Sequence, residues 1–207
     1  PPGSENQLLD ACLGCQVPSG GLPMDVGVVV QNVGTAAAIA DAVVRGKPLY
    51  ERVVTVTGAS VGSPKNLLVR IGTPIADALA DCDGDLERAG KLICGGPMMG
   101  FAQRDTGATV TKGTSGILLL AEDEVDAREP NPCIRCGRCV DACPMHLVPT
   151  DIGNLAIRGL VEDAERADAL DCIECGSCAF ACPSRIPLVQ QIRLAKSAIL
   201  AAKRKKG

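Results

Sequence analysis

The sequence predicts an α+β protein, with a mixed strand-and-helix first half and a helical, cysteine-rich second half. Three observations carry this. Val53-Val54-Thr55-Val56-Thr57 and Asn66-Leu67-Leu68-Val69-Arg70-Ile71 are short β-branched and aliphatic runs separated by a Gly62-Ser63-Pro64 turn. From Thr150 onward, apolar residues recur instead at helical spacing. Between the two regimes lies a short acidic stretch, Glu122-Asp123-Glu124-Val125-Asp126, followed by Pro130 and Pro132, which reads as a linker.

In chain order, Val26 to Val30 is predicted as a buried strand and Thr35 to Arg45 as a helix closed by Gly46. The two runs at 53–57 and 66–71 are strands. Pro74 to Cys82 is a short helix opened by Thr73. Later strands are expected near Lys91 to Cys94 and Ile117 to Ala121. Strand, turn, strand, helix in so few residues suggests a small β-grasp module. In the second half, a helix is expected within Thr150 to Ala169, with Thr150 or Asp151 as N-cap and Leu155, Leu160, Val161 and Ala164 on one face. Another follows Pro187, where Leu188, Ile192, Ala195 and Ile199 recur at helical spacing.

Composition excludes several classes of function. A chain of 207 residues suffices for one compact domain or two small ones. Lys and Arg number 21 against 24 Asp and Glu, and the aromatics are two Phe, one Tyr and no Trp. A nucleic-acid binder would need a basic field and stacking platforms, and both are missing. No aliphatic run approaches the ~20 apolar residues that span a bilayer, so a soluble or peripheral protein is expected. The opening Pro1-Pro2-Gly3, without Met or a charged-then-apolar leader, suggests no targeting signal and a piece of something longer.

The twelve cysteines are the strongest signal. Cys133, Cys136, Cys139, Cys143 and Cys172, Cys175, Cys178, Cys182 both read C-x2-C-x2-C-x3-C-P, and each residue of the first run lies 39 positions before its counterpart. CIRCGRCVDACP and CIECGSCAFACP agree at eight of twelve places, so the runs are a duplication. Neighbours this close seldom reach disulfide geometry, which points to metal binding in a reducing compartment. The spacing is that of bacterial ferredoxins, where three thiolates of one loop hold one [4Fe-4S] cube and the fourth ligates the other. That pattern assigns Cys133, Cys136, Cys139 and Cys182 to one cluster and Cys172, Cys175, Cys178 and Cys143 to the second. Structural zinc needs four ligands per ion and has no use for a third closely spaced Cys followed by Cys-Pro, twice.

Other residues carry weaker signals. Gly137 and Gly176 let the backbone fold closely round a cube, and Pro144 and Pro183 end the loops. With four Cys per cluster available, His146 is expected to orient a ligand rather than be one. Cys12-Leu13-Gly14-Cys15 is read as free buried thiols ahead of a redox pair or labile metal site, Cys82 and Cys94 as core, and Met98-Met99 as gap-filling side chains ahead of residues flanking a site. From Ser184 onward there are seven basic residues and no acidic one. This tail is either a solvated helix end stabilised by the helix dipole or a contact for an anionic surface or acidic partner.

Val17-Pro18-Ser19-Gly20-Gly21-Leu22-Pro23, Val29-Val30-Gln31-Asn32-Val33-Gly34-Thr35, Gly95-Gly96-Pro97-Met98-Met99-Gly100 and Thr111-Lys112-Gly113-Thr114-Ser115-Gly116, taken in order with the duplicated cysteine run, resemble the RnfC subunits of Rnf electron transport complexes. The resemblance covers nearly the whole chain. It implies three parts: the tail of an α/β flavin domain over residues 1–49, a β-grasp module of the SLBB type over 50–121, and a mainly α-helical dicluster ferredoxin domain over 122–207. It also implies that Val30, Gln31, Asn32 and Thr35 contact FMN, at a strand-to-helix turn whose free N–H groups suit a phosphate.

By the same resemblance, the protein works in a membrane-bound, ion-translocating ferredoxin:NAD oxidoreductase. It passes electrons between FMN and NAD(H) and other Rnf subunits, including a ferredoxin-like donor or acceptor and membrane subunits, at the cytoplasmic face of the bacterial inner membrane. The family's glycine-rich nucleotide-binding stretch has no counterpart in residues 1–30, so these 207 residues are expected not to turn over NADH alone. Two other readings stand beside this one: a cobalamin reductase of similar plan, and a non-enzymatic ligand-binding module whose clusters only stabilise the fold.

Overall fold

A computed structural model describes residues 4–206, apart from the side chain of residue 206. The chain divides into two compact units. Gln31–Arg128 form one; the other joins the stretch ending at Val30 to the stretch beginning at Glu129.

The second of these begins with α1 (Glu5–Leu13), whose N-cap Ser4 accepts from the Gln7 N–H and whose C-cap Gly14 adopts a left-handed conformation. Leu9 is its buried residue. The strand expected at Val26 to Val30 does not form. Pro23–Val26 is instead a 3-10 turn, with Pro23 fixing the first φ, the Asp25 carboxylate accepting the Leu22 N–H at 2.7 Å and left-handed Gly27 closing it. Beyond it Val29 is 72% exposed, and no strand among the described residues pairs with this apolar run.

In the Gln31–Arg128 unit, α2 (Val33–Arg45) starts two residues before the expected position, because the Asn32 side chain accepts the Gly34 N–H at 2.9 Å. Gly46 closes it as expected. None of its residues is buried. Five strands follow: β1 (Glu51–Thr57), β2 (Lys65–Arg70), β3 (Ala89–Cys94), β4 (Phe101–Gln103) and β5 (Gly116–Ala121), ordered β2-β1-β5-β3-β4. β1 and β5 are parallel and the other pairs antiparallel. Period-two burial puts Val54 and Val56 of β1 and Ile117 and Leu119 of β5 into one core with Ile75 and Leu79 of α3 (Ile75–Ala80). A hairpin, a helix and a parallel central pair are the mixed β-grasp arrangement the sequence suggests. The helix is shorter than expected: Pro74 is its N-cap, and Thr73 is held by its backbone, donating to Arg70 and accepting from Val110. Gly58, at φ 129°, is required where it stands, since a Cβ there would meet the Leu119 backbone.

The Glu129-onward stretch is helical: α4 (Arg138–Asp141), α5 (Pro149–Ile157), α6 (Val161–Arg166), α7 (Ser177–Ala181) and α8 (Leu188–Lys206). The single helix expected across Thr150 to Ala169 is broken in two by Gly159, which takes φ 70°. Its start is set by Pro149 in the first turn after Val148, not by Thr150 or Asp151. α8 places Ile192, Ala195 and Ile199 against Ile152 of α5 and Ala164 of α6. A smaller core joins Leu188 and Val189 to Cys139 and Cys178.

Candidate metal centres

The 39-residue repeat is preserved in the backbone. Arg135 and Glu174 both sit in the left-handed region, at φ 54° and 55°; so do His146 and Arg185, at 55° and 56°. Gly137 and Gly176 follow suit at 78° and 86° and start α4 and α7. Non-glycine residues there are strained by about 1 kcal/mol or more, so something must hold them. The gain is that backbone N–H groups turn onto sulfur: Arg135 onto Cys133, Glu174 onto Cys172 and Leu147 onto Cys143, each at 3.4 Å. Such donors stabilise a thiolate.

The turns wrap the eight cysteines round two cavities. One, of about 330 Å³, is lined by Cys143, Cys172, Cys175 and Cys178 with Leu147, Val189 and Ile192 among its walls. The other, of about 1200 Å³ and more open, is lined by Cys133, Cys136, Cys139 and Cys182 with Thr150, Asp151 and Asn154. Each cavity therefore takes three cysteines from one run and the fourth from the other. Among the described residues no three Cys, His, Asp or Glu side chains converge as ligands of a single ion. A cube asks for a different arrangement, in which each thiolate meets its own iron at a different corner. An all-cysteine donor set spread round a cavity, with N–H groups aimed at sulfur, fits that group.

The two cavities differ electrostatically. Cys133 and Cys136 are exposed, whereas burial raises the Cys172 thiol and pushes Cys178 up to about 12. Beside the enclosed cavity, Glu174 pairs with Arg193 at 2.7 Å and Lys196 at 2.8 Å, and Lys196 also donates to the Cys172 carbonyl at 2.7 Å. Burial would raise the Glu174 carboxyl, but hydrogen bonds from Lys196 and Arg193 outweigh it and hold the group below its ordinary range. In the other loop the matching residue is exposed Arg135. Sequence reading missed Glu174, Arg193 and Lys196. The signal was present, since Arg135 against Glu174 is one of the four mismatches in the repeat and Arg193 and Lys196 lie three apart on one helix.

Of the residues matched to flavin contacts, Asn32 and Thr35 line one cleft of the Gln31–Arg128 unit, of about 1530 Å³, with Lys47, Arg52 and Lys112. Val30 and Gln31 precede α2 without regular structure and do not line it. His146 is exposed, and its backbone N–H donates to the Cys143 carbonyl. Cys82 is fully buried in the β-grasp core and Cys94 packs against it, as expected. Cys12 is not the buried thiol expected: it lies exposed near the end of α1, where one face alone meets the protein, and Cys15 is half-buried. Met98 and Met99 are also exposed rather than gap-filling, because they sit on the turn between β3 and β4.

Three family models match the chain: Nuo51 FMN-binding domain over residues 1–41, SLBB domain over 53–102 and 4Fe-4S dicluster domain over 132–186. Among curated proteins, the chain is 53% identical over 98% of its length to the RnfC protein of the proton-translocating ferredoxin:NAD(+) oxidoreductase complex of Clostridium ljungdahlii, and spans 44% of that relative. It is 49% identical over 99% of its length to the RnfC protein of the Na(+)-translocating ferredoxin:NAD(+) oxidoreductase complex of Acetobacterium woodii, spanning 46% of it. The chain belongs to the RnfC family. A further RnfC relative, from the ion-translocating oxidoreductase complex of Methanosarcina acetivorans, is 46% identical over 96% of the chain, which spans 44% of that protein. The chain thus spans less than half the length of these three RnfC proteins. The expected α+β class, SLBB module and dicluster domain with two [4Fe-4S] clusters stand confirmed, together with a stretch of FMN-binding type. No helix among the described residues is long and apolar enough to cross a membrane.

Proposed function

We propose that this chain is the electron-transfer part of an RnfC protein in an ion-translocating ferredoxin:NAD oxidoreductase. The observation that carries the reading is the exchange of fourth cysteines between the two cavities. Cys133, Cys136, Cys139 and Cys182 hold one [4Fe-4S] cluster, and Cys172, Cys175, Cys178 and Cys143 the other. Cubes so held relay single electrons over a range of roughly -700 to +450 mV, set by charge, hydrogen bonding and exposure. The chain's own residues fix that environment. The N–H groups of Arg135, Glu174 and Leu147 stabilise ligand sulfurs, and the apolar wall of Leu147, Val189 and Ile192 excludes water from the second site. Burial raises the thiols of Cys178 and half-buried Cys172, so in the metal-free protein both favour the protonated form.

Asn32 and Thr35 supply a helix start, and Arg52 and Lys112 of the same cleft supply cations suited to a flavin phosphate, with Val30 and Gln31 as further flavin contacts by the resemblance alone. The partners are other members of the complex, with the chain peripheral on the cytoplasmic face of the membrane. The ligand exchange is tested by Cys182→Ser. The reading expects loss or distortion of the EPR signal of the cluster otherwise held by Cys133, Cys136 and Cys139; damage confined to the other cluster means each run ligates its own cube.

A further inference from the structure

The two cysteine loops share a backbone but not a charge environment. At the left-handed position that faces the Cys133–Cys136 turn stands Arg135, exposed to water. At the equivalent position in the Cys172–Cys175 turn stands Glu174, whose two carboxylate oxygens are taken by Arg193 and Lys196 of α8. The Lys196 side chain is about four-fifths buried, and its second bond goes to the carbonyl of a ligand residue, Cys172. A lysine is costly to bury unless its charge is paired, and here the Glu174 carboxylate and the Cys172 carbonyl hold the ammonium in place. The Lys196 ammonium thus stands beside the smaller and drier of the two cavities.

Resting on the ligand reading above, we infer that Lys196 sets the reduction potential of the cluster held by Cys143, Cys172, Cys175 and Cys178. When a low-potential one-electron donor reduces that cube, one electron enters, no proton need follow, and the site gains one negative charge. A fixed ammonium nearby favours the more negative state and so raises the potential; beside walls of Leu147, Val189 and Ile192 water weakens its field less than that of an exposed charge. Glu174 acts in the opposite sense by its own charge, while orienting Lys196 toward the Cys172 carbonyl. Lys196 is thus a positioning residue that tunes the cluster from outside its ligand set. Among the described residues the first loop offers a different arrangement: Arg135, at the rim of the other cavity, and Arg138 are exposed, and water screens their charges.

The test is an EPR-monitored redox titration of anaerobically purified protein, with iron and sulfide determined on every sample. The relevant signal is the one perturbed by Cys175→Ser. Lys196→Gln keeps a hydrogen-bonding side chain without the charge, and its midpoint for that signal is expected to shift negative while the other cluster's stays in place. Lys196→Arg is expected to stay near the parent value. Glu174→Gln is expected to shift the same midpoint positive. A lysine that served only to brace the loop would move both charge-removing variants in one direction, or neither, and either outcome overturns the inference. If Lys196→Gln loses the cluster, the Glu174→Gln midpoint decides: a positive shift supports the inference, and any other result overturns it. Parent protein lacking two cubes would instead sink the ligand reading itself, which the iron and sulfide values show separately.

Discussion

The Ser19 hydroxyl lies 2.6 and 2.9 Å from the two carboxylate oxygens of Asp171, the residue immediately before Cys172. Gln7 Nε2 donates to the Pro144 carbonyl at 3.1 Å, immediately after Cys143. The stretch ending at Val30 is therefore tied to both loops that bring ligands to the enclosed cavity. Ser19→Ala and Gln7→Ala should each cost about 0.5–1.5 kcal/mol. The expected sign is faster amide hydrogen exchange within residues 4–22, read by mass spectrometry, with iron content unchanged. Unaltered exchange in both variants would mean that these bonds do not hold the segment.

Ile152 and Ile199 are fully buried in one helical core. Truncating either to Ala should cost about 2–5 kcal/mol, since a cavity remains where the methyls stood. Denaturant unfolding of the helical unit, followed by bleaching of the cluster absorbance, reads the change. Leu194→Gln in α8 provides the contrast within the same unit: Leu194 is 56% exposed, and the expected change is within about ±0.5 kcal/mol.

Gly58→Ala should destabilise the Gln31–Arg128 unit severely. It demands a left-handed-side φ of an L residue, for about 1–3 kcal/mol, and drives a methyl into the Leu119 backbone where β5 passes β1. The check is thermal unfolding by circular dichroism, with Gly62→Ala as a milder comparison, since its nearest neighbours would be Asp83 atoms at 3.2 and 3.3 Å. Equal melting temperatures for the two variants would contradict the assignment of Gly58.

The basic end of α8 is only lightly engaged. Lys203 pairs with Glu165 at 2.7 Å, but both side chains are about half exposed, so the pair adds little to stability. Truncation after Ala202 should leave the unfolding free energy within about 1 kcal/mol of the parent. Sedimentation with anionic vesicles should fall, and more so at low salt than at high. Undiminished binding would return the tail to ordinary solvated surface.

How far the sequence could be read follows from the range of the forces involved. Strands β1, β2, β3 and β5 and helices α2 and α8 were legible because their apolar periodicity and glycine stops are local. The 39-residue offset likewise declared the duplicated loops. Val26 to Val30 misled, since an apolar run becomes a strand only beside a partner, and here Pro23, Asp25 and Gly27 commit the chain to a turn first. Gly159 was overlooked as a helix break because Leu160, Val161 and Ala164 keep the periodicity running through it. The Glu174, Arg193 and Lys196 group left only a partial trace, a mismatch in the repeat and two cations three apart on α8: Glu174 lies about twenty residues before its partners, and only the packing of α8 brings them together.

The central claim is that the eight duplicated cysteines hold two redox-active cubes. The most direct test is iron and acid-labile sulfide content on anaerobically purified protein, followed by EPR during a redox titration. The account predicts about eight irons and about eight sulfides per chain, with two reversible, interacting signals. Zinc in their place, fewer than about four irons under anaerobic handling, or signals that never titrate reversibly would contradict it.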